Sequence, residues 1–195
     1  MDSRLKILQA VKQNQPEEVA LPTLSHFFDT PNIDLLSEFT NVVEGIGAKV
    51  FVVHQVADVI NQIRTDFVVG DIRIVSPLVE YKEIAENFNG SDNHQLADVE
   101  LIILPTKFAV AENGSCWLSD DLFMERVLPF IPQHLILIAK KENIVATMHH
   151  AYQLIADQSY GFGTFIAGPS KTADIEQSLV LGAHGPRSLR VFFVN

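Results

Sequence analysis

A single cysteine, Cys116, stands in 195 residues. No disulfide can therefore close within this chain, and no iron-sulfur cluster can be held by several of its own thiolates. Any such cluster has to be brought by something else. Positive charge is also scarce, with 14 Lys and Arg against 24 Asp and Glu and a formal charge of −10. That balance favours solubility and opposes nonspecific attraction to nucleic acid. No apolar run approaches the roughly 20 residues needed to cross a bilayer, so membrane insertion is not expected. Met1 to Gln15 interleaves charges with Leu5, Ile7, Leu8 and Val11 and lacks the apolar core and cleavage site of a secretory signal, which predicts a cytoplasmic protein. The two Gly-x-Gly runs, Gly45-Ile46-Gly47 and Gly161-Phe162-Gly163, have Val50 and Ile166 where a third glycine belongs, and each precedes a strand, which excludes a dinucleotide fingerprint. His149 and His150 are adjacent and cannot share one helix face, and the other histidines show no ligand spacing, so no metal is expected.

What is present is apolar residue in quantity, 47% of the chain, enough for one substantial core. Leu5, Leu8 and Val11 recur at helical spacing and predict a first amphipathic helix over about Ser3 to Lys12. Pro16, Pro22 and Pro31 mark an irregular connection pinned by Phe27 and Phe28. Ile33 to Ile46 predicts a helix closed by Gly45 and Gly47, followed by a strand from Lys49 to Val53. Further helices are expected over Val56 to Ile63, Leu122 to Leu128, Ile144 to Ile155 and Thr172 to Leu181. Further strands are expected at Ile72 to Val75, Val99 to Leu104, Cys116 to Leu118, Leu135 to Ile138, Thr164 to Ala167 and Arg190 to Val194. Short strands apolar on both faces and separated by helices argue for an α/β fold with a mainly parallel sheet covered on both sides. Ligands of such sheets bind at the carboxyl ends of the strands, which makes the loops after Leu104 and Ala167 the informative ones.

The strongest local signal is Gly163 to Gly185. Ser170 and Thr172 are candidate N-caps for the helix expected after them. Its first-turn amides, with Lys171 alongside, could hold an anion. Asp174 and Glu176 fall in that same turn and would oppose one, so a purely structural helix remains an equal reading. Glu112, in a glycine-containing loop beyond a strand, is the candidate for chemistry as base or nucleophile, with a solvated turn glutamate as the alternative. His184 either lines the site or caps a helix C-terminus. Cys116 beside Trp117 reads as a packed thiol.

The run from Gly168 to Pro186, GPSKTADIEQSLVLGAHGP, resembles the stretch of the lactate-utilisation protein C (LutC/YkgG) family that reads GPS, a basic residue, TADIE, then LVLG-x-HGP. Ala97-Asp98-Val99 and Ala111-Glu112-Asn113-Gly114-Ser115 are similar to that family's strand opening and its AETGT-like turn, although Asn113 and Ser115 replace the usual threonines. The stretch between about Val69 and Ala97 is shorter than in typical members. The resemblance is clear over residues 97 to 194. It implies one LUD-like domain over 1–195, with an N-terminal helix and irregular connection over 1–30 and an α/β core over 31–195. The implied fold is a three-layer domain of the NagB/RpiA/CoA-transferase-like type. The implied role is a non-redox subunit or accessory protein in oxidation of L-lactate to pyruvate, beside iron-sulfur partner subunits (LutA-like and LutB-like), with no cofactor in this chain. The resemblance implicates Glu112, Gly114, Gly168, Ser170, Lys171, Thr172, Asp174, Glu176, His184 and Gly185, and Asn113 and Ser115 join them as candidate ligand-binding residues of the same turn. Two other readings stay open: a free-standing enzyme of acyl or CoA transfer or of phosphosugar or folate chemistry using Glu112, and a module that senses a small carboxylate or phosphate.

Overall fold

In the computed structural model, which describes residues 2–29, 33–90, 92–175 and 178–194, the chain lays down four α-helices and eleven strands. In order they are α1 (Ser3–Gln13), α2 (Leu35–Gly45), β1 (Lys49–Val53), α3 (Val56–Asp66), β2 (Ile74–Val75), β3 (Leu101–Pro105), β4 (Phe108–Val110), β5 (Ser115–Ser119), β6 (His134–Ala139), β7 (Ile144–Val145), α4 (Met148–Ile155), β8 (Gly163–Ile166), β9 (Lys171–Ile175), β10 (Ser178–Leu181) and β11 (Ser188–Val194). Five strands form one parallel sheet in the order β1-β11-β6-β3-β2. A second sheet runs β7-β4-β5-β8, and β9 pairs with β10 as an antiparallel hairpin.

Side chains of a strand alternate between faces, and here both faces are apolar. Leu101, Ile103, Ile136 and Phe192 turn toward Val59, Ile60 and Ile63 of α3. Their neighbours Ile102, Leu104, Leu135, Leu137, Val191 and Phe193 turn toward Phe39 and Val43 of α2 and toward the second sheet. The result is a three-layer α/β domain with the parallel sheet in the middle. The helix α4 packs Ala151 and Ile155 on the outer face of the second sheet, against Phe108, Val110 and Trp117.

Local chemistry explains the helix starts. The Asp34 carboxylate accepts from the Leu36 and Ser37 amides to cap α2, and Asp58 accepts from the Gln55 amide at the head of α3; both satisfy donors that a helix leaves free. The first helix forms as its spacing predicts, yet none of its residues is buried. The connection after it is pinned at Phe27, which stacks on His149 with ring centroids 4.2 Å apart.

Several elements differ from the sequence reading. Thr172 to Leu181 is not a helix but the β9–β10 hairpin, with Thr172 opposite Val180 and Lys171 opposite Leu181. Thr172, Ile175 and Val180 are β-branched and suit a strand, and a short apolar run carries both periods. Leu122 to Leu128 is a series of turns whose hydrogen bonds span three residues, such as Leu122 to Ser119 and Leu128 to Glu125, with Pro129 preventing extension into a helix. Ile144 and Val145 pair with β4, so the helix expected from Ile144 starts at Met148. The strand at Thr164 belongs to the second sheet, antiparallel to β5.

His134 opens β6 with its ring 2.6 Å from the Ser188 hydroxyl. Burial holds its imidazole below the ordinary 6.5; Arg190 and Arg187 push the same way and Glu100 opposes them. As pH falls the unfolded chain takes up this proton first, so the contribution to stability is complete above 6.5 and is lost as pH falls through the lower folded value. Urea titrations across this window are expected to show a slope of at most about 1.4 kcal/mol per pH unit from this group, removed in His134→Gln.

Candidate functional site

Two loops press on the C-terminal half of α2. At Gly168 the backbone takes φ +70°, and a Cβ there would lie 3.1 Å from the Ile46 side chain. At Gly114 φ is also +70°, and a Cβ would come within 2.7 Å of Val43. Each glycine answers both a left-handed backbone and a close approach. The turn from Glu112 to Ser115 therefore sits on the last turn of α2, and the loop from Gly168 to Lys171 on Ile46, the residue that caps its end.

The first loop is tied to the segment that follows the hairpin. The Ser170 amide donates to the Pro186 carbonyl (2.8 Å) and the Gly182 amide to the Ser170 carbonyl (3.0 Å). Gly168, Ser170, Lys171, His184 and Gly185 thereby line one shallow cleft of about 250 Å³, bounded also by Phe130 and Pro186. The cleft lies at the amino edge of the parallel sheet, beside the starts of β11 and β6, where the Arg187 amide donates to Gln133. Lys171 reaches back and donates from Nζ to the Ile46 carbonyl. It serves the free carbonyls of the end of α2. No helix begins at Thr172, so the expected N-caps at Ser170 and Thr172 and an anion on first-turn amides do not occur there. Nor does His184 cap a helix, because a strand precedes it. Thr172 lies in β9; the side chain of Asp174 and the whole of Glu176 lie outside the described residues.

The Glu112 turn stands apart from that cleft's lining. The Glu112 amide donates to the Ala146 carbonyl (3.0 Å), and its Oε2 accepts from the Met148 amide at 2.7 Å. The carboxylate thus serves the first turn of α4, where the helix dipole favours negative charge. Asn113 Oδ1 accepts from the Ser115 amide (3.1 Å) and hydroxyl (2.7 Å), which closes the turn. Glu112→Ala should cost about 0.5–2 kcal/mol as a lost cap, measured by urea unfolding, while Glu112→Gln keeps the accepting oxygen and most of the stability. A nucleophile or base would behave in reverse, with activity lost in the Gln variant.

Cys116 is fully buried and burial pushes its thiol up to about 12, as suits a packed residue. His149 and His150 secure the Ser25–Phe28 turn, His150 lying 2.8 Å from the Thr147 hydroxyl and 3.3 Å from the Phe28 carbonyl. Among the described residues no group of three or more His, Cys, Asp or Glu is placed to hold a metal ion, and no helix is long and apolar enough to cross a membrane.

A family model for the LUD domain matches residues 79–194. The chain belongs to the LUD domain family. The match spans every residue lining the amino-edge cleft and the Glu112 turn itself, and leaves α1, α2, β1, α3 and β2 outside it. Curated relatives of this LUD domain include lactate utilization protein C of Bacillus pumilus, 36% identical over 85 residues, covering 40% of this chain and 35% of that protein. The proteins of that name from Oceanobacillus iheyensis and Shouchella clausii are 31% and 32% identical, covering 54% and 58% of this chain and 48% and 51% of theirs. The alignments thus span about half or less of the relatives' length. Among solved structures, a DUF162 family protein from Deinococcus radiodurans superposes with a TM-score of 0.66 at 20% identity, over 83% of this chain and 96% of that one. This likeness shows the fold.

One part of the LUD domain escaped the sequence reading. A larger cleft of about 420 Å³ opens at the carboxyl edge of the parallel sheet, lined in part by Tyr81, Thr106, Ile138, Lys140 and Asn143. The loop after Leu104 pointed to it, because Pro105 and Thr106 form one wall. The loop after Ala167 lies at the opposite edge, since β8 is not a strand of that sheet.

Proposed function

We propose that this LUD domain acts in L-lactate utilisation as a non-redox subunit or accessory protein, beside iron-sulfur partner subunits that carry the electrons of oxidation to pyruvate. The observation that supports it is the convergence of the family-signature residues Gly168, Ser170, Lys171, His184 and Gly185 on one shallow, partly charged cleft. An open surface of that kind suits a small carboxylate held against a second protein better than a substrate sealed from water. A single cysteine leaves the chain unable to ligate a cluster by several thiolates, which fits a division of labour with partners. The relatives' shared name, lactate utilization protein C, points to the same metabolism.

The test is a native pull-down of the tagged chain from cells grown on L-lactate, scored by iron content and visible absorbance of the co-purifying proteins. Recovery of iron-sulfur proteins, reduced in His184→Ala, is the expected result. Recovery of the chain alone from lactate-grown cells would overturn the partnership.

A further inference from the structure

We propose that the carboxyl-edge cleft binds a neutral, planar heteroaromatic molecule of nucleoside type, at a site separate from the amino-edge cleft. Its place is the crevice beyond the carboxyl ends of β3, β6 and β11, where Pro105, Ile138 and Val194 form apolar walls and where open parallel sheets hold their ligands. About 420 Å³ falls within the range of small-molecule pockets. It is the volume of about 14 liquid waters, far more than lactate fills.

The polar groups specify an edge bearing both a donor and an acceptor. Thr106 donates its hydroxyl to the Ile138 carbonyl (3.3 Å), which leaves its oxygen to accept. Asn143 donates Nδ2 to the Lys107 carbonyl (3.1 Å), which leaves Oδ1 to accept. Tyr81, another wall residue, is 1% exposed, and its hydroxyl has no hydrogen-bond partner among the described residues. A buried orphan of this kind costs free energy until something pairs with it; its oxygen is shielded from the open cleft, so a ligand reaches it by a small shift of the wall. Burial pushes the Tyr81 pKa to about 12, so it remains a donor at neutral pH. An amino group next to a ring nitrogen offers the complement, and apolar walls suit the faces of the ring. Charge at the mouth argues against a phosphorylated ligand, because Glu80 and Glu142 set two carboxylates against the one ammonium of Lys140.

The experiment is a titration of the ¹⁵N-labelled chain with adenosine, with AMP as the charged control, followed by amide chemical shifts. Saturable shifts at Thr106 and from Ala139 to Asn143, with adenosine binding several-fold more tightly than AMP, are expected. Thr106→Val and Tyr81→Phe each remove one hydrogen-bonding group and should weaken adenosine by up to about tenfold. Tyr81→Phe removes an unpaired buried hydroxyl and should leave thermal unfolding unchanged or raised, so weaker binding in that variant is not loss of fold. Absence of saturable shifts at the cleft, AMP binding at least as tightly as adenosine, or unchanged affinity in both variants would overturn the proposal.

Discussion

Replacing Phe193 by alanine should lower the stability of the domain by about 3–5 kcal/mol, the cost of emptying a fully packed aromatic site. Phe193 is completely buried in β11 and meets Phe39 of α2 edge-on, with ring centroids 5.3 Å apart. Its position joins the central sheet to the helix that anchors both candidate loops. The deletion therefore loses transfer free energy and leaves a cavity that neither the sheet nor α2 can fill by a simple rotamer change. Urea unfolding should show a large fall in midpoint with an unchanged slope. A loss below about 1 kcal/mol would mean that the α2 face is not packed as described.

Gly163→Ala should also destabilise the domain, for the opposite reason. A Cβ on Gly163 would stand 2.3 Å from Cη2 and 2.4 Å from Cζ2 of Trp117. The indole has no free space to withdraw into, since Trp117 is buried, tilted against Phe165 at 4.6 Å and edge-on to Tyr160 at 5.4 Å. Overpacking of this kind costs about 1–3 kcal/mol and sometimes more. Trp117 is the one tryptophan of the chain, so its emission reports the event directly. The expected result is a shifted native emission together with reduced stability; a native spectrum and midpoint matching the parent would contradict the geometry.

How much of this could be read from the sequence varies with how local each feature is. β1 begins and ends where its β-branched run predicts, and the buried runs at β3, β6 and β11 announce the parallel sheet, because strands covered on both faces need no alternation. The second sheet was harder to read. β4 holds three residues and β7 two, too few to establish a period, and they are strands only because β5 and each other supply hydrogen bonds. The segment from Thr172 to Leu181 carried both periods, and pairing decided in favour of the hairpin. Lys171 shows the same lesson at the site. Five of the signature residues, Gly168, Ser170, Lys171, His184 and Gly185, line one cleft while Glu112 and Gly114 stand apart from it, and the Lys171 ammonium is engaged by the Ile46 carbonyl, 125 positions away, rather than by an anion on a helix start. The carboxyl-edge cleft draws on residues from Val56 to Val194, so no window of sequence contains it.

The most direct measurement of the central claim is growth on L-lactate of cells whose chromosomal copy is replaced by His184→Ala. His184 lines the amino-edge cleft and is exposed, so the variant should keep its fold and its unfolding temperature. The account predicts lost or strongly slowed growth on L-lactate with normal growth on glucose. Parental growth on L-lactate, both in this variant and after deletion of the whole gene, would contradict it.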